Sequence, residues 1–241
     1  MKHLHKYTGN IIHVGKQGDG CNSMKILELF CGPKSISKAF EAKGHEIFTV
    51  DIDKSFNPDL CTNIEELTTK QILKQFGQPD IIWASPPCTC FSVASIGTHW
   101  TGGKGAYIPK TQDAVRSMNL VRHTLKLIGE LKPTCWFIEN PRGVLRKMPF
   151  MMYLPYRHTV TYCQYGDSRM KPTDIWTNHP NPQFNLPCKN GSPCHEAAPR
   201  GSKTGTQGLK GAKERGIIPR LLCEHVCKVC EEGKGVAWRN C

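Results

Sequence analysis

The residues best suited to chemistry sit where an apolar run ends in a rigid turn. Pro79-Asp80-Ile81-Ile82-Trp83-Ala84 breaks into Ser85-Pro86-Pro87-Cys88-Thr89-Cys90-Phe91-Ser92. Neither proline can donate to a sheet and each fixes its own φ, so the backbone is stiff just before Cys88. Most free cysteines are small buried hydrophobes, and Cys90 reads as one of these. A thiol on a stiff turn at the carboxyl end of a strand reads instead as a nucleophile. Such a group needs an acid or base beside it, and Trp136-Phe137-Ile138-Glu139-Asn140-Pro141-Arg142 offers one. Glu139 ends an apolar strand, which carries it to the same sheet edge as Cys88, and burial of a carboxyl favours its proton-bearing form. Further on, Arg169-Met170-Lys171 spaces two cations two residues apart, on one face if the segment is extended.

These groups must be positioned by regular elements, and residues 24–178 supply them. Strand-like runs cover Lys25–Phe30, Ile47–Asp51, Asp80–Ala84, Thr134–Ile138, Thr159–Cys163 and Asp174–Thr177. They are short and continuously apolar or β-branched, as strands buried on both faces are. Helix-capable stretches lie between them. The clearest follows Thr111, with Val115, Met118, Val121, Leu125 and Ile128 on one face, and Pro133 stops it. The alternation predicts an α/β fold, a doubly wound and mostly parallel sheet with right-handed crossovers.

In such a sheet ligands bind beyond the carboxyl ends of the strands, near the switch point. The first βα junction, Leu29-Phe30-Cys31-Gly32-Pro33-Lys34-Ser35, lacks the Gly-x-Gly-x-x-Gly pattern that cradles a pyrophosphate. Asp51 ends the second strand, where an acid accepts hydrogen bonds from ribose hydroxyls. A nucleoside-bearing cofactor without phosphates fits both observations.

Composition narrows the class. The 39% of apolar residues supports a packed core, and no apolar run reaches the 18 or so residues of a membrane span. Met1 to Ser23 is polar and lacks the apolar stretch of a secretory signal. Thirteen cysteines, several inside strand-like runs, fit a reducing compartment better than a disulfide scaffold. The formal net charge of +12 points to a polyanionic partner. Within residues 200–220 six basic residues face one acidic residue, as in a segment lying along such a partner.

Phe30-Cys31-Gly32, Asp51, Pro87-Cys88, Glu139-Asn140 and Arg169-Met170-Lys171 occur in the order and approximate spacing of the C5-cytosine DNA methyltransferases. The chain resembles the compact phage and bacterial members of that family over residues 24–178, with a weaker echo in Arg215–Val226. The resemblance implies S-adenosylmethionine as methyl donor, released as S-adenosylhomocysteine, with Phe30, Gly32, Asp51, Ile52, Asn63 and Pro86 around it. Phe30 would pack on the adenine, the Gly32 turn would approach the methionine part and Asp51 would bind the ribose. Asn63 stands where the family often has an Asp facing the adenine amine, and its amide oxygen can accept the same bond. The implied chemistry is attack of Cys88 on C6 of a cytosine, with Glu139 at N3 and Arg169 holding O2. C5 then takes the methyl group, a base removes the C5 proton and Cys88 is eliminated. A stacked base is out of reach, so the target is flipped out of the duplex. Pro87, Ser92, Asn140, Lys104 and Lys171 would meet the substrate, and the glycine-rich loop Gly102–Gly105 would close over it. The implied partner is double-stranded DNA bound by a monomer, in the cytoplasm of a bacterial or phage-infected cell and in a restriction–modification setting. The same chemistry on RNA is the near alternative, and a catalytically idle nucleic-acid-binding protein the distant one.

Departures from the family carry expectations of their own. Lys171 replaces the second Arg of the family's Gln-x-Arg-x-Arg segment and loses the bidentate fork, which suggests a phosphate contact. The expected organisation is an N-terminal extension (1–23), a catalytic domain (24–178), a reduced basic recognition segment (179–216) and a C-terminal helix and tail (217–241). About 40 residues are too few for an independent recognition core, so base readout falls to loops. Cys188, Cys194 and His195, and separately Cys223, Cys227 and Cys230, are candidate zinc ligands. Neither group is a clean pair of Cys-x2-Cys pairs, and Cys227 and Cys230 can simply share one side of the last helix, so ordinary thiols are the favoured reading.

Overall fold

The computed structural model describes residues 23–103, 106–197 and 211–233. Lys104, most of the N-terminal extension, the centre of the basic segment and the C-terminal tail lie outside the described residues. The strands are β1 (Lys25–Leu29), β2 (Glu46–Asp51), β3 (Leu60–Cys61), β4 (Ile81–Ala84), β5 (Trp100–Gly103), β6 (Ala106–Pro109), β7 (Cys135–Pro141), β8 (Tyr156–Thr161) and β9 (Pro172–Thr177). The helices are α1 (Ser35–Glu41), α2 (Thr69–Gln75), α3 (Ile96–His99), α4 (Gln112–Leu131), α5 (Pro149–Met152), α6 (Ala212–Gly216) and α7 (Arg220–Glu232).

Seven strands form one sheet in the order β3-β2-β1-β4-β7-β9-β8. Its first five strands are parallel, and β9 and β8 are antiparallel to their neighbours. Chain length explains the change of direction. A parallel return needs a dozen or more residues, and only residues 162–171 join β8 to β9. Along the central strands consecutive side chains enter opposite cores. Ile26, Ile81, Trp83 and Phe137 pack with α1 and α7, while Leu27, Ile82, Ala84 and Ile138 pack with α2 and α4. That alternation is why these strands read as unbroken apolar runs, and each fully buried side chain of this size contributes about 1.5–3 kcal/mol. The expected doubly wound α/β fold is therefore the observed one.

Capping follows the sequence closely at α4, where the Thr111 side chain accepts from Ala114 N and Lys132 turns left-handed before Pro133. The expected face is shifted by one step. Val121 and Ile128 are buried, but Val115 is exposed and Ala114, Thr124, Leu127 and Leu131 complete the inner stripe. The glycine-rich stretch expected as a loop is a two-stranded ribbon, β5 against β6. Trp100 anchors it by donating to Cys90 O at 2.6 Å and stacking on Phe91. At Gly102 (φ +89°) a Cβ would meet Ala106 O at 2.3 Å, so the ribbon needs glycine there. Helix α7 buries Leu222, Cys223, Val226, Cys227 and Cys230 in the same core as β1 and α1. The C-terminal segment is thus continuous with the sheet domain. Cys223, Cys227 and Cys230 are buried there, and Cys223 Sγ donates to Ile218 O at 3.9 Å.

Candidate active site

The switch point lies between β1 and β4, whose neighbours run outward in opposite directions. Beyond their carboxyl ends sit Phe30–Gly32 and the Ser85–Ser92 turn. Five hydrogen bonds hold that turn. Asn140 Nδ2 donates to Pro86 O at 2.9 Å, and Phe91 N and Ser92 N donate to Cys88 O at 3.0 and 2.9 Å. Ser95 Oγ donates to Thr89 O at 2.6 Å, and Val144 N to Phe91 O at 2.8 Å. The last approach requires Gly143, because a Cβ there would meet Phe91 O at 2.1 Å. Ser92 spends its hydroxyl on Ser95 Oγ, 3.1 Å away, and Pro87 stands exposed beside the half-buried Cys88.

Parallel register pairs Ala84 with Ile138, so the turn from Ser85 onward emerges beside Glu139-Asn140 near the carboxyl end of β7. Glu139 is buried and accepts from Tyr162 Oη at 3.1 Å. Asn140 is fully buried, and its Oδ1 has no hydrogen-bond partner among the described residues. Cys88 and Glu139 are close enough for the charge of one to act on the other. Burial raises the Cys88 thiol above its ordinary value, the Glu139 charge adds to the rise, and Lys171 and Arg215 oppose it. Burial depresses the Lys171 ammonium, against the pull of Glu139 and Cys88. Lys171 Nζ donates to Arg215 O at 2.9 Å and lies 4.6 Å from the Tyr162 ring centre. The sequence suggested a phosphate contact for this lysine, but its ammonium, on a residue with left-handed backbone (φ 26°), interacts with the charges of Glu139 and Cys88.

Arg169 corrects the sequence expectation in the other direction. It is buried, and all three of its guanidinium nitrogens have protein partners. Nε donates to both Asp167 oxygens at 2.8 and 3.0 Å, and Nη2 also bonds Asp167. Nη1 donates to Glu214 O at 3.4 Å and Nη2 to Ile217 O at 3.3 Å. A planar fork suits this bidentate task, and the carboxylate two residues away claims it before a base can. Arg169 thereby ties the returning 214–217 segment to the 162–171 connection, while Lys171 supplies the cation beside Cys88.

On the β1–β2 side, Asp51 accepts Gly32 N at 2.9 Å through Oδ2 and Asp53 N at 2.8 Å through Oδ1. Each carboxylate oxygen keeps a further lone pair. Phe30 and Gly32 both have positive φ, 57° and 45°. Ile52 next to Asp51 is 69% exposed, an uncovered apolar side chain at a strand end. Asn63 is turned to a local task, since its side chain accepts Glu65 N at 3.1 Å as an N-cap. Buried Pro86 lies across the switch point from this group. A cavity of about 760 Å³ runs between α1 and α7 from Pro33 to Glu231, and neither Asp51 nor Cys88 lines it.

Sequence reasoning missed four participants. Tyr162 carried no motif, and only the fold brings its hydroxyl to Glu139. Asp167 could have been found as the acid two residues before Arg169. Glu28, mid-strand in β1, is buried and accepts Ser37 N at 3.0 Å and Ser37 Oγ, with burial pushing its carboxyl up to about 7. Cys163 lies against Cys188 and Cys194, sites far apart in sequence.

A model of the C-5 cytosine-specific DNA methylase family matches residues 24–149, just over half of the chain. A Frog virus 3 protein named "Probable DNA (cytosine-5)-methyltransferase" is 32% identical over 158 residues, spanning 64% of this chain and 71% of that protein. The type II methyltransferase M.AgeI of Thalassovita gelatinovora is 27% identical over 137 residues, 51% of this chain and 29% of that protein. Among solved structures, Entamoeba histolytica methyltransferase EhMeth has a TM-score of 0.47 at 15% identity, and S. pombe Dnmt2 methyltransferase 0.45 at 13%. Each covers 64% of this chain, which spans 52% and 49% of those two proteins, about half their length. The match over residues 24–149, with the likeness to most of the viral protein, shows that the chain belongs to the C-5 cytosine-specific DNA methylase family.

Proposed function

We propose that the chain transfers a methyl group from S-adenosylmethionine to C5 of a cytosine in double-stranded DNA, through a transient bond from Cys88 to C6. One observation carries the reading. Cys88 and Glu139 leave adjacent parallel strands at the same end, and the charge of the second raises the pKa of the first. The catalytic unit is residues 24–178 completed by the returning segment 211–233, which bears on Arg169 and Lys171.

The residues at the switch point fit the donor. Asp51 has lone pairs for two ribose hydroxyls, and Phe30 and the exposed Ile52 offer apolar surface for an adenine. Bound there, S-adenosylmethionine supplies an electrophilic methyl group. The remaining work belongs to the chain. In the free protein the half-buried Cys88 keeps its proton; the proton leaves to solvent as Sγ bonds to C6, and the charge of Lys171 offsets that of Glu139. Bond formation from Sγ to C6 breaks the aromaticity of the ring and makes C5 enamine-like. Glu139 at N3 and the Lys171 cation stabilise the charge that develops, and the free Asn140 Oδ1 is an acceptor for the exocyclic amine. After C5 is methylated a base removes its proton and the Sγ–C6 bond breaks.

The test is methyl transfer by the full chain to matched duplex DNA and RNA, together with trapping on DNA containing 5-fluorocytosine. Label in DNA and a denaturant-stable adduct are expected. Cys88→Ser should abolish the adduct and lower the rate more than about 10⁴-fold, equivalent to about 5.5 kcal/mol of transition-state stabilisation. Label confined to RNA would overturn the substrate, and turnover by the wild type without a trapped adduct would overturn the covalent route.

A further inference from the structure

We infer that Cys163, Cys188, Cys194 and His195 bind one zinc ion, which fastens the segment after β9 to the floor of the active site. Their donor atoms come from two distant stretches and lie within 4.8 Å of one another. Cys163 is in the short 3-10 turn Tyr162–Tyr165 that follows β8. The other three lie in residues 179–197, which hold neither helix nor strand.

The distances suit a shared ion. With Zn–S about 2.3 Å and Zn–N about 2.0–2.1 Å, a tetrahedron has S···S edges of about 3.8 Å and S···N edges of about 3.5 Å. Both thiols of the segment stand 3.6 Å from His195 Nδ1, and Cys194 Sγ is 3.6 Å from Cys163 Sγ. Cys163 and Cys188 sulfurs are 3.1 Å apart, far beyond the 2.05 Å or so of a disulfide. Three thiols and one imidazole in tetrahedral array select zinc among common metals. An outer layer is also present. Gln164 Nε2 donates to Cys194 Sγ at 3.4 Å, and Cys188 N donates to Thr161 Oγ1 at 2.9 Å. Cys194 is exposed, which leaves the ion a path in.

The need for a fastener follows from the fold. A segment of this length without regular elements buries too little apolar surface to hold itself, and structural zinc supplies folding free energy directly. The grip falls next to the chemistry. Cys163 follows Tyr162, whose hydroxyl bonds Glu139, and Glu196 N donates to Ser168 O at 2.9 Å, one residue from Arg169. The ion would fix the connection that presents Tyr162, Arg169 and Lys171.

The decisive measurement is the metal content of the full chain purified under reducing conditions without chelator. One zinc per chain is expected, and replacement by cobalt should give the intense near-ultraviolet thiolate-to-metal band of a tetrahedral thiolate site. Cys188→Ser and His195→Ala should lose most of the metal, whereas Cys61→Ser, at an exposed thiol in β3, should keep it. Wild-type content needs no variant to fold, and it is independent of methyl transfer. Less than a tenth of an equivalent of zinc in folded wild type, or a Cys163–Cys188 disulfide in unreduced peptide maps, would overturn the site.

Discussion

The two ends of the sheet are built on different principles. The parallel end, β3 to β7, rests on two apolar cores, and its site residues are fixed by where strands stop: Phe30 after β1, Asp51 at β2, Cys88 just past β4. The antiparallel end rests on polar joints. Asp167 holds Arg169, Arg146 and Thr159 hold the buried Asp174, Tyr162 holds Glu139, and three thiols with a histidine gather the 163–195 stretch. In the proposed reaction the first end would hold the donor's nucleoside with main chain and apolar surface. The second carries the charges a reacting base would need. A polar joint fails abruptly when one partner is lost, whereas an apolar core yields in proportion to the volume removed.

That contrast gives the largest expected effect. Asp174 is 0% exposed, and Arg146 Nη2 donates to its Oδ1 at 2.8 Å, as does Thr159 Oγ1. Arg146→Ala leaves a buried carboxylate without its cation, which should cost about 3 kcal/mol or more in denaturant unfolding. Thr159→Ala keeps the ion pair and should cost no more than about 1.5 kcal/mol. Equal small losses for both would mean that water already reaches this joint and that the two ends do not differ.

Buried Glu28, within the parallel end, sharpens the comparison from the other side. Burial raises the Glu28 carboxyl from 4.5 to about 7, with Ser37 pulling it back. A folded pKa above the unfolded one means that stability is whole below pH 4.5 and falls as pH rises through 7. The shift corresponds to about 3 kcal/mol at most. Glu28→Gln keeps an oxygen for Ser37 and removes the charge. It should match the wild type near pH 4.5 and exceed it by about 1–3 kcal/mol at pH 8, read from denaturant midpoints. A stability difference that does not change with pH would show that Glu28 is neutral throughout or already solvated.

Legibility in the sequence divides along the same line. Strands buried on both faces announce themselves as apolar runs, and Thr111 with Pro133 marks α4, so six of the seven sheet strands and the doubly wound fold were readable. The two-residue β3 carries too little pattern to be seen, and the ribbon β5–β6 is hidden because glycine has no side-chain period. The adjacency of Cys88 and Glu139 was readable because one follows β4 and the other lies near the carboxyl end of its neighbour β7. The placement of Tyr162, the diversion of Arg169 to Asp167 and the fourth donor Cys163 were not. Each depends on β8 and β9 turning back antiparallel, and that follows from the short 162–171 connection rather than from any motif. The local task of Asn63 was hidden for a simpler reason: its side chain caps a 3-10 turn by accepting Glu65 N, and one lone pair of that oxygen remains.

The smallest expected effect tests whether the antiparallel end tunes the parallel one. Lys171 opposes the rise that burial and Glu139 impose on the Cys88 thiol. Removing its charge should push that thiol higher still, and each unit lowers the thiolate fraction tenfold below the pKa. Lys171→Met should therefore lower kcat/KM about 10- to 100-fold near neutral pH, about 1.4–2.7 kcal/mol. The ascending limb of the pH profile should move to higher pH, recovering much of the loss in alkali. Lys171→Arg keeps the charge and should return the limb toward the wild-type position. Its fork cannot reproduce the single bond to Arg215 O on so short a reach, so the plateau stays below wild type. A plateau lowered with the limb unmoved would mean that Lys171 positions Tyr162 and Glu139 without tuning the thiol. The two ends of the sheet would then be joined by packing alone.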